Sequence, residues 1–337
     1  MYLVTGASGF IGGHLVDTLL ARGVAVRCFV RPTSKVTDLE RPGVELVRGD
    51  LFDERQWDAA LQGIQVVFHL AATLAEANSQ RMFRVNGGGT QVVARACARQ
   101  SEPPVLIYLS SLAAAGPTRV GRLRHEADPA APVSVYGQSK RLGELAIREV
   151  AAQVPTTILR PGIVFGERGR EMLPVFQAIH RFRFHLVPSL SPPPLSYIHV
   201  HDLVELMIRA AERGERLVPN PKSSAEHAQG YFFACVDEHP DYGRFGRLIA
   251  EALGHPHLLV MPCIEPLVWT FAGCSQLVTT MAGRTSMFNL DKMREALADS
   301  WACANQRSRD RLGFVQSGTL QDQVQATADW YRASRWL

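Results

Sequence analysis

Tyr136 and Lys140 stand four residues apart in the run Tyr136-Gly-Gln-Ser-Lys140. On a helix that spacing puts both on one face, so a phenol and an ammonium can share a site. A free phenol titrates near 10, too high to exchange protons near neutrality, and a neighbouring cation moves it toward the working range. Lysine occurs only at positions 35, 140, 222 and 292. With the seven tyrosines of the 337-residue chain, a chance pair at this spacing is expected roughly 0.08 times. The plain alternative is an exposed i,i+4 pair. A second element is Ser110-Ser111, directly after the apolar run Val105 to Leu109. Ligands of open α/β sheets sit at such strand ends, where a hydroxyl can meet a substrate oxygen. Taken alone, a serine pair after a strand is more often a turn or a cap.

These groups need a partner held in front of them, and the first dozen residues supply a place for one. Tyr2 to Thr5 is an apolar, β-branched run, and Gly6-Ala-Ser8-Gly9-Phe10-Ile11-Gly12 follows at once. A helical pattern then puts Ile11, Leu15, Val16, Leu19 and Leu20 on one face. Strand, glycine turn and helix start together predict a dinucleotide site. Gly6 permits the sharp turn, Gly9 lets a pyrophosphate approach the backbone, and Gly12 lets the helix sit close on the sheet. The helix start offers free N–H groups and a partial positive charge to the phosphates.

Strands and helices alternate through the first half, which predicts a parallel, doubly wound sheet. Strands are expected at 24–30, 44–47, 65–70, 105–109 and 156–159, with helices at about 82–99 and 136–152. After Pro161 prolines cluster, and 165–195 has the look of an insertion with its own helix at 173–183. Ser196 to Val200 is expected to return to the main sheet as a strand, with Asp202 capping the helix 203–213. On that strand His199 and His201 would face opposite sides and could not share a metal ion. Strands at 232–236 and 258–261, with a helix at 242–253, suggest a smaller α/β lobe, and 320–336 an amphipathic tail helix. The fold class expected is a Rossmann-type α/β sheet with a smaller C-terminal α/β substrate lobe. Residues 1–161 plus about 196–213 would bind the nucleotide, and about 162–195 plus 214–337 the substrate.

Composition narrows the function. A net charge of +4, from 36 basic and 32 acidic residues, implies no nucleic-acid partner. The six cysteines show neither close pairing nor metal-ligand spacing, so reduced thiols in a cytoplasmic protein and no bound metal are expected. A first strand beginning at residue 2 leaves no room for a leader. The apolar run Cys263 to Ala282 contains Glu265 and Pro266, and is expected to be a buried helix or pocket wall rather than a membrane contact. Trp269 and Phe271 within it are expected to pack or to line an apolar pocket.

In order along the chain stand Thr5-Gly6-x-x-Gly9-x-x-Gly12, His69-Leu-Ala-Ala72, Asn86 in Val-Asn-Gly-Gly-Gly-Thr90, Ser110-Ser111, Tyr136-x-x-x-Lys140 and Arg160-Pro161-Gly162. This series resembles the extended short-chain dehydrogenase/reductase family of NAD-dependent epimerases and dehydratases, over nearly the whole chain. The resemblance implies that Tyr136 is the general acid/base and Lys140 its pKa partner, which also binds the nicotinamide ribose. Ser111, five residues before Gly116 as in the family pattern, would polarise the reacting oxygen. Asn86 would complete the catalytic group, with a mainly structural part in the extended class. Gly6, Ser8, Gly9, Phe10, Ile11 and Gly12 would hold the pyrophosphate, and Asp50 and Leu51 would meet the adenine. Leu70, Ala71 and Ala72 would line the cofactor groove, with Pro161, Gly162 and Ile163 on its far side.

Two departures carry information. Gln65 replaces an aspartate the family often has. At the end of the second strand, where NAD-preferring members put a carboxylate for the ribose 2′-hydroxyl, stand Val30 and Arg31. An arginine can hold a 2′-phosphate bidentately, so NADP is the expected cofactor, with NAD as the alternative. The Val30-Arg31 strand end is similar to dihydroflavonol-reductase-like and 3β-hydroxysteroid-dehydrogenase-like members. The expectation is an oxidoreductase interconverting a ketone and a secondary alcohol on a small, apolar substrate. One rival is a nucleotide-sugar epimerase or dehydratase with tightly held NAD; Gly162 stands where such members commonly carry a diphosphate-binding asparagine. Another is a nucleotide-binding regulator without turnover, which would have no need of Ser111, Tyr136 and Lys140. The resemblance also implies a homodimer through the helices at 82–99 and 136–152.

Overall fold

Side chains of the central strands alternate between two apolar layers, and both layers are covered by helices. The computed structural model describes residues 1–74, 79–264, 266, 269–270 and 290–337. Its strands are β1 (Tyr2–Thr5), β2 (Val26–Val30), β3 (Val44–Arg48), β4 (Val66–His69), β5 (Val105–Leu109), β6 (Thr156–Pro161), β7 (Ile163–Phe165), β8 (Phe184–Val187), β9 (Tyr197–His199), β10 (Tyr231–Ala234) and β11 (Leu259–Pro262). Its helices are α1 (Phe10–Ala21), α2 (Glu54–Ala60), α3 (Ser79–Phe83), α4 (Thr90–Ala98), α5 (Leu112–Ala115), α6 (Val135–Glu149), α7 (Leu173–Phe182), α8 (Val200–Arg213), α9 (Ser224–Ala228), α10 (Tyr242–Ala252), α11 (Leu290–Ala296), α12 (Gln306–Leu312) and α13 (Leu320–Ala333). The main sheet has seven parallel strands in the order β10-β6-β5-β4-β1-β2-β3. On one face Val4, Phe68, Ile107 and Leu159 pack against α1 and α8; on the other Leu3, Val67, Leu106 and Ile158 meet α2, α4 and α6. This is the doubly wound α/β class expected. Strand order reverses between β1 and β4, where open α/β sheets bind their ligands.

The second half departs from expectation in three places. Strand β9 does not return to the main sheet. It pairs with β7, because β10 already occupies the edge beside β6, with Tyr231 opposite Ile158. The strand at 231–234, assigned from sequence to the smaller lobe, thus completes the main sheet, while β8 and β11 form a separate parallel ribbon. Second, β9 stops at His199 and helix α8 starts at Val200, so the side-chain period changes between the two histidines. Their Nε2 atoms converge on one Glu167 oxygen, at 3.3 and 3.4 Å, instead of facing opposite sides. Third, Asp202 is buried in the first turn of α8 rather than at its cap. It accepts from the Ser317 N–H (3.2 Å) and Gln323 Nε2 (2.6 Å), tying down the start of α13. The apolar run 263–282, including Phe271 and Cys274, lies for the most part outside the described residues.

Helix α6 carries Tyr136, and the burial of Glu144 two turns further on fixes where it lies. The Glu144 carboxylate accepts from Ser110 Oγ (2.7 Å), from Arg160 Nε and Nη2 (2.8 and 2.7 Å) and from Arg141 Nη1 (2.8 Å). Glu144 and Arg160 are both buried, and the Arg160 guanidinium also lies 4.3 Å from the centre of the Tyr231 ring. Burial alone would favour the neutral acid, but Arg160 and the hydrogen bonds hold the carboxyl below its ordinary range. A buried pair of this kind contributes little net stability over an apolar pair, yet removing one partner strands the other charge. Replacing Glu144 by Ala should therefore cost about 3–5 kcal/mol of folding stability in urea denaturation. A loss below about 1 kcal/mol, the size typical of an exposed pair, would show that the bridge does not anchor the helix.

Candidate active site

At the β1/β4 crossing the chain turns through Gly6, whose φ of +72° a side chain would strain. A Cβ at Gly12 would stand 2.2 Å from the Gly6 carbonyl oxygen, so the missing side chain lets α1 start directly against the turn. The Gly9 N–H is taken by Gly6 O (3.0 Å), but no side chain caps α1 and its first turn has no acidic residue. The N–H groups of Phe10, Ile11 and Gly12 are therefore left for an external anion. A dinucleotide pyrophosphate fits that cradle.

The loop after β4 is fixed by a proton-ordered network. Thr90 Oγ1 lies 2.7 Å from the Asn86 carbonyl, which can only accept, so the Thr90 proton points there. His69 Nε2, 3.1 Å from the same hydroxyl oxygen, must then donate to it. Its Nδ1 accepts from Thr5 Oγ1 (2.8 Å), whose lone pairs take the Leu70 and Ala71 N–H groups (3.1 and 3.0 Å). Burial, with the nearby Lys140 charge, lowers the His69 pKa to about 3, so the ring stays neutral. Asn86 belongs to the same scaffold. Its amide oxygen accepts from the Thr73 N–H (2.8 Å), and its nitrogen donates to Thr73 O and Ser139 Oγ (both 2.9 Å). The residue sits in a π-helical turn, Arg84–Gly89, where a Cβ at Gly87 would meet Leu142 at 2.4 Å.

Around the phenol the two lysines divide the work. Lys140 is buried, donates to Leu109 O at 2.6 Å and lies 4.5 Å from the centre of the Tyr108 ring. Burial lowers its pKa to about 7, against a raising effect of Glu144. Burial pushes the Tyr136 hydroxyl above its ordinary value, the Glu171 and Glu295 charges push it further, and the Ser111 hydroxyl partly offsets them. The phenol is thus held in its protonated form. Ser111 caps α5 by accepting the Ala113 N–H (3.1 Å) and faces Tyr136, whereas Ser110 is committed to Glu144. Helix α11 closes the other side: Asp291 accepts the Val135 and Tyr136 N–H groups (2.7 and 3.2 Å). Lys292 Nζ lies 3.0 Å from Glu295 and 5.1 Å from the centre of the Tyr136 ring.

One cavity of about 1410 Å³ gathers these groups. It exceeds the roughly 300–1,000 Å³ of common ligand sites, leaving room for a dinucleotide and a second molecule. Ser8, Gly9, Arg31, Leu51, Leu70, Ala72, Ser111, Tyr136, Lys140, Pro161, Gly162 and Ile163 line it, as do the other residues predicted from sequence except two. Asn86 lies behind the wall, and Asp50 turns its carboxylate onto the Phe52 N–H (3.0 Å). Sequence reasoning missed Glu171, Lys292 and Glu295. Lysine scarcity was a usable signal, since two of the four lysines meet here; nothing marked the glutamates. Among the described residues no His, Cys, Asp or Glu cluster is arranged to hold a metal, and no helix is long and apolar enough to cross a membrane.

A sequence model described as the NAD dependent epimerase/dehydratase family matches residues 2–222. The chain belongs to this family. Its members are NAD(P)-dependent oxidoreductases, epimerases and dehydratases, and the protein is an enzyme of that kind. It is 28% identical over 345 residues to sterol demethylase protein B of Methylococcus capsulatus, covering 98% of each chain. It is 30% identical over 339 residues to the ceramide reductase of Caulobacter vibrioides, covering 99% of this chain and 95% of that one. The fold matches the crystal structure of UDP-glucose 4-epimerase from Thermotoga maritima with a TM-score of 0.77 at 19% identity, over 99% of both chains.

The His69 network makes a spectroscopic prediction. Nitrogen NMR should find the ring neutral, with its proton on Nε2, from about pH 8 down to about pH 4. An imidazolium at about pH 5, or a proton on Nδ1, would contradict that proton order.

Proposed function

We propose that the protein is an NADP-dependent reductase that interconverts a ketone and a secondary alcohol on an apolar substrate. The observation that carries this reading is the meeting of Tyr136, Ser111 and Lys140 in the same cavity as the glycine turn. Bound nicotinamide would supply or accept a hydride. The free N–H groups of Phe10, Ile11 and Gly12 would hold its pyrophosphate, and Lys140 its ribose. Ser111 would hydrogen-bond the substrate oxygen and set its distance from Tyr136. As negative charge develops on that oxygen, the phenol would deliver its proton. Asn86 would act as a positioning residue, holding the loop at 73 against α6.

Arg31 supports NADP over NAD. It is exposed at the end of β2 on the cavity wall, next to Ser34, and no described group occupies its guanidinium. The substrate half of the cavity speaks against a nucleotide sugar. Its charged groups among the described residues are Glu171, Glu295 and Lys292, a set with one more acid than base, which would repel a diphosphate. Apolar walls from Pro174, Val175, Leu186 and Met293, and relatives named for sterol and ceramide chemistry, support an apolar substrate. A homodimer through α4 and α6 agrees with the exposed Leu142 and Leu145 on α6, and the unpaired thiols of Cys28, Cys97, Cys235, Cys263 and Cys303 suit a cytoplasmic setting.

Steady-state kinetics and cofactor titration test the roles. Tyr136→Phe should lower ketone reduction by about 10²–10⁴-fold and leave NADP affinity unchanged; full activity would remove Tyr136 from proton transfer. Arg31→Asp should move the NADP-to-NAD ratio of kcat/KM toward NAD by about 10- to 100-fold, the scale of one charged hydrogen-bonded contact. An unmoved ratio would show that Arg31 does not read the phosphate.

A further inference from the structure

Glu171 is the one carboxylate of the substrate half that the described residues leave uncommitted. Asp291 is spent on the N-terminus of α6, and Glu295 accepts from Ser134 Oγ (2.5 Å) and Lys292 Nζ (3.0 Å). Glu171 lines the cavity with its side chain exposed to it, and makes no hydrogen bond or ion pair with any described residue. It stands at the approach to α7, close enough for its charge to act on the Tyr136 phenol from the substrate side. Around it the wall is apolar, with Pro174, Val175 and Ala178 one to two turns further on. The surrounding cavity walls push the Glu171 carboxyl up by partial desolvation, and the Lys292 charge partly offsets this. An ionised carboxylate can only accept hydrogen bonds, so Glu171 is free to accept one from a donor on a molecule in the cavity.

We propose that Glu171 binds a second hydrogen-bond donor on the substrate, a hydroxyl or amide N–H close to the carbon that changes oxidation state. The substrates would then be apolar hydroxy- or amido-ketones and the matching alcohols, not simple ketones and not carboxylates or phosphates. This rests on the reductase reading above and adds the substrate class to it. The donor meets Glu171 while the reacting oxygen meets Ser111 and Tyr136, so the two contacts set which face of the carbonyl is presented. Neither contact needs a group outside the cavity wall.

Binding can be measured apart from turnover. The protein saturated with oxidised NADP cannot reduce a ketone, so calorimetry with 1-hydroxydodecan-2-one and dodecan-2-one reads affinity alone. The wild type should bind the hydroxyketone about 10- to 100-fold more tightly. Glu171→Leu should bring the two ketones level, and Glu171→Gln, which keeps one acceptor oxygen, should retain part of the preference. Equal affinities in the wild type, or a preference that survives in Glu171→Leu, would overturn the proposal. A Glu171-dependent preference without NADPH consumption, when reduced cofactor is supplied, would overturn the reductase reading and leave the contact supported.

Discussion

The buried bridge between Glu144 and Arg160 is the constraint on which the site depends. Helix α6 presents Tyr136, Lys140 and Glu144 at successive i,i+4 positions on one face. The last of the three is clamped to β6 through Arg160 and to the end of β5 through Ser110. With that end pinned, Lys140 reaches the Leu109 carbonyl, and the phenol one turn earlier is carried to the mouth of the strand ends. The other end is held by Ser134 and by Asp291 of α11, so the second half of the chain grips the tyrosine helix directly. Two fixed ends leave the phenol little freedom, as proton transfer over hydrogen-bonding distance demands.

Electrostatics divide the cavity into two unlike halves. The half beside the glycine turn has bare N–H groups and Arg31, both suited to phosphate, over the neutral His69 scaffold. The half beside α7 and α11 has a surplus of carboxylate and an apolar wall. Tyr136 stands at the boundary, where burial, and then the Glu171 and Glu295 charges, oppose ionisation of the phenol. Lys140, whose own charge is weakened by burial, is held to the end of β5 through the Leu109 carbonyl.

Much of this is legible in the sequence because it rests on local geometry. A positive-φ glycine, two more that clear the path of a helix start, and an i,i+4 pair are short-range requirements, and all of them stand where expected. Asn86 and Arg160 are legible only as motif members; that one braces a loop and the other answers a buried glutamate emerges from packing between distant segments. The elements that depart from expectation share a cause. His199 and His201 read as one strand because the change of period falls between them, and β10 reads as part of the smaller lobe because no local pattern says which sheet edge is open. Glu171, Lys292 and Glu295 come from segments 120 or more residues apart, brought together by the insertion and by α11. No spacing rule reaches that far.

In the proposed reaction hydride leaves a reduced nicotinamide for a carbonyl carbon while Tyr136 protonates the oxygen. Reduction of a ketone with NADPH deuterated at C4 on one face tests it most directly, with the product read by mass spectrometry. One deuterium should appear on the carbinol carbon from one of the two cofactor faces and none from the other, with one NADP formed per alcohol. Deuterium retained entirely on the nicotinamide, or a product epimerised with no net consumption of cofactor, would contradict it.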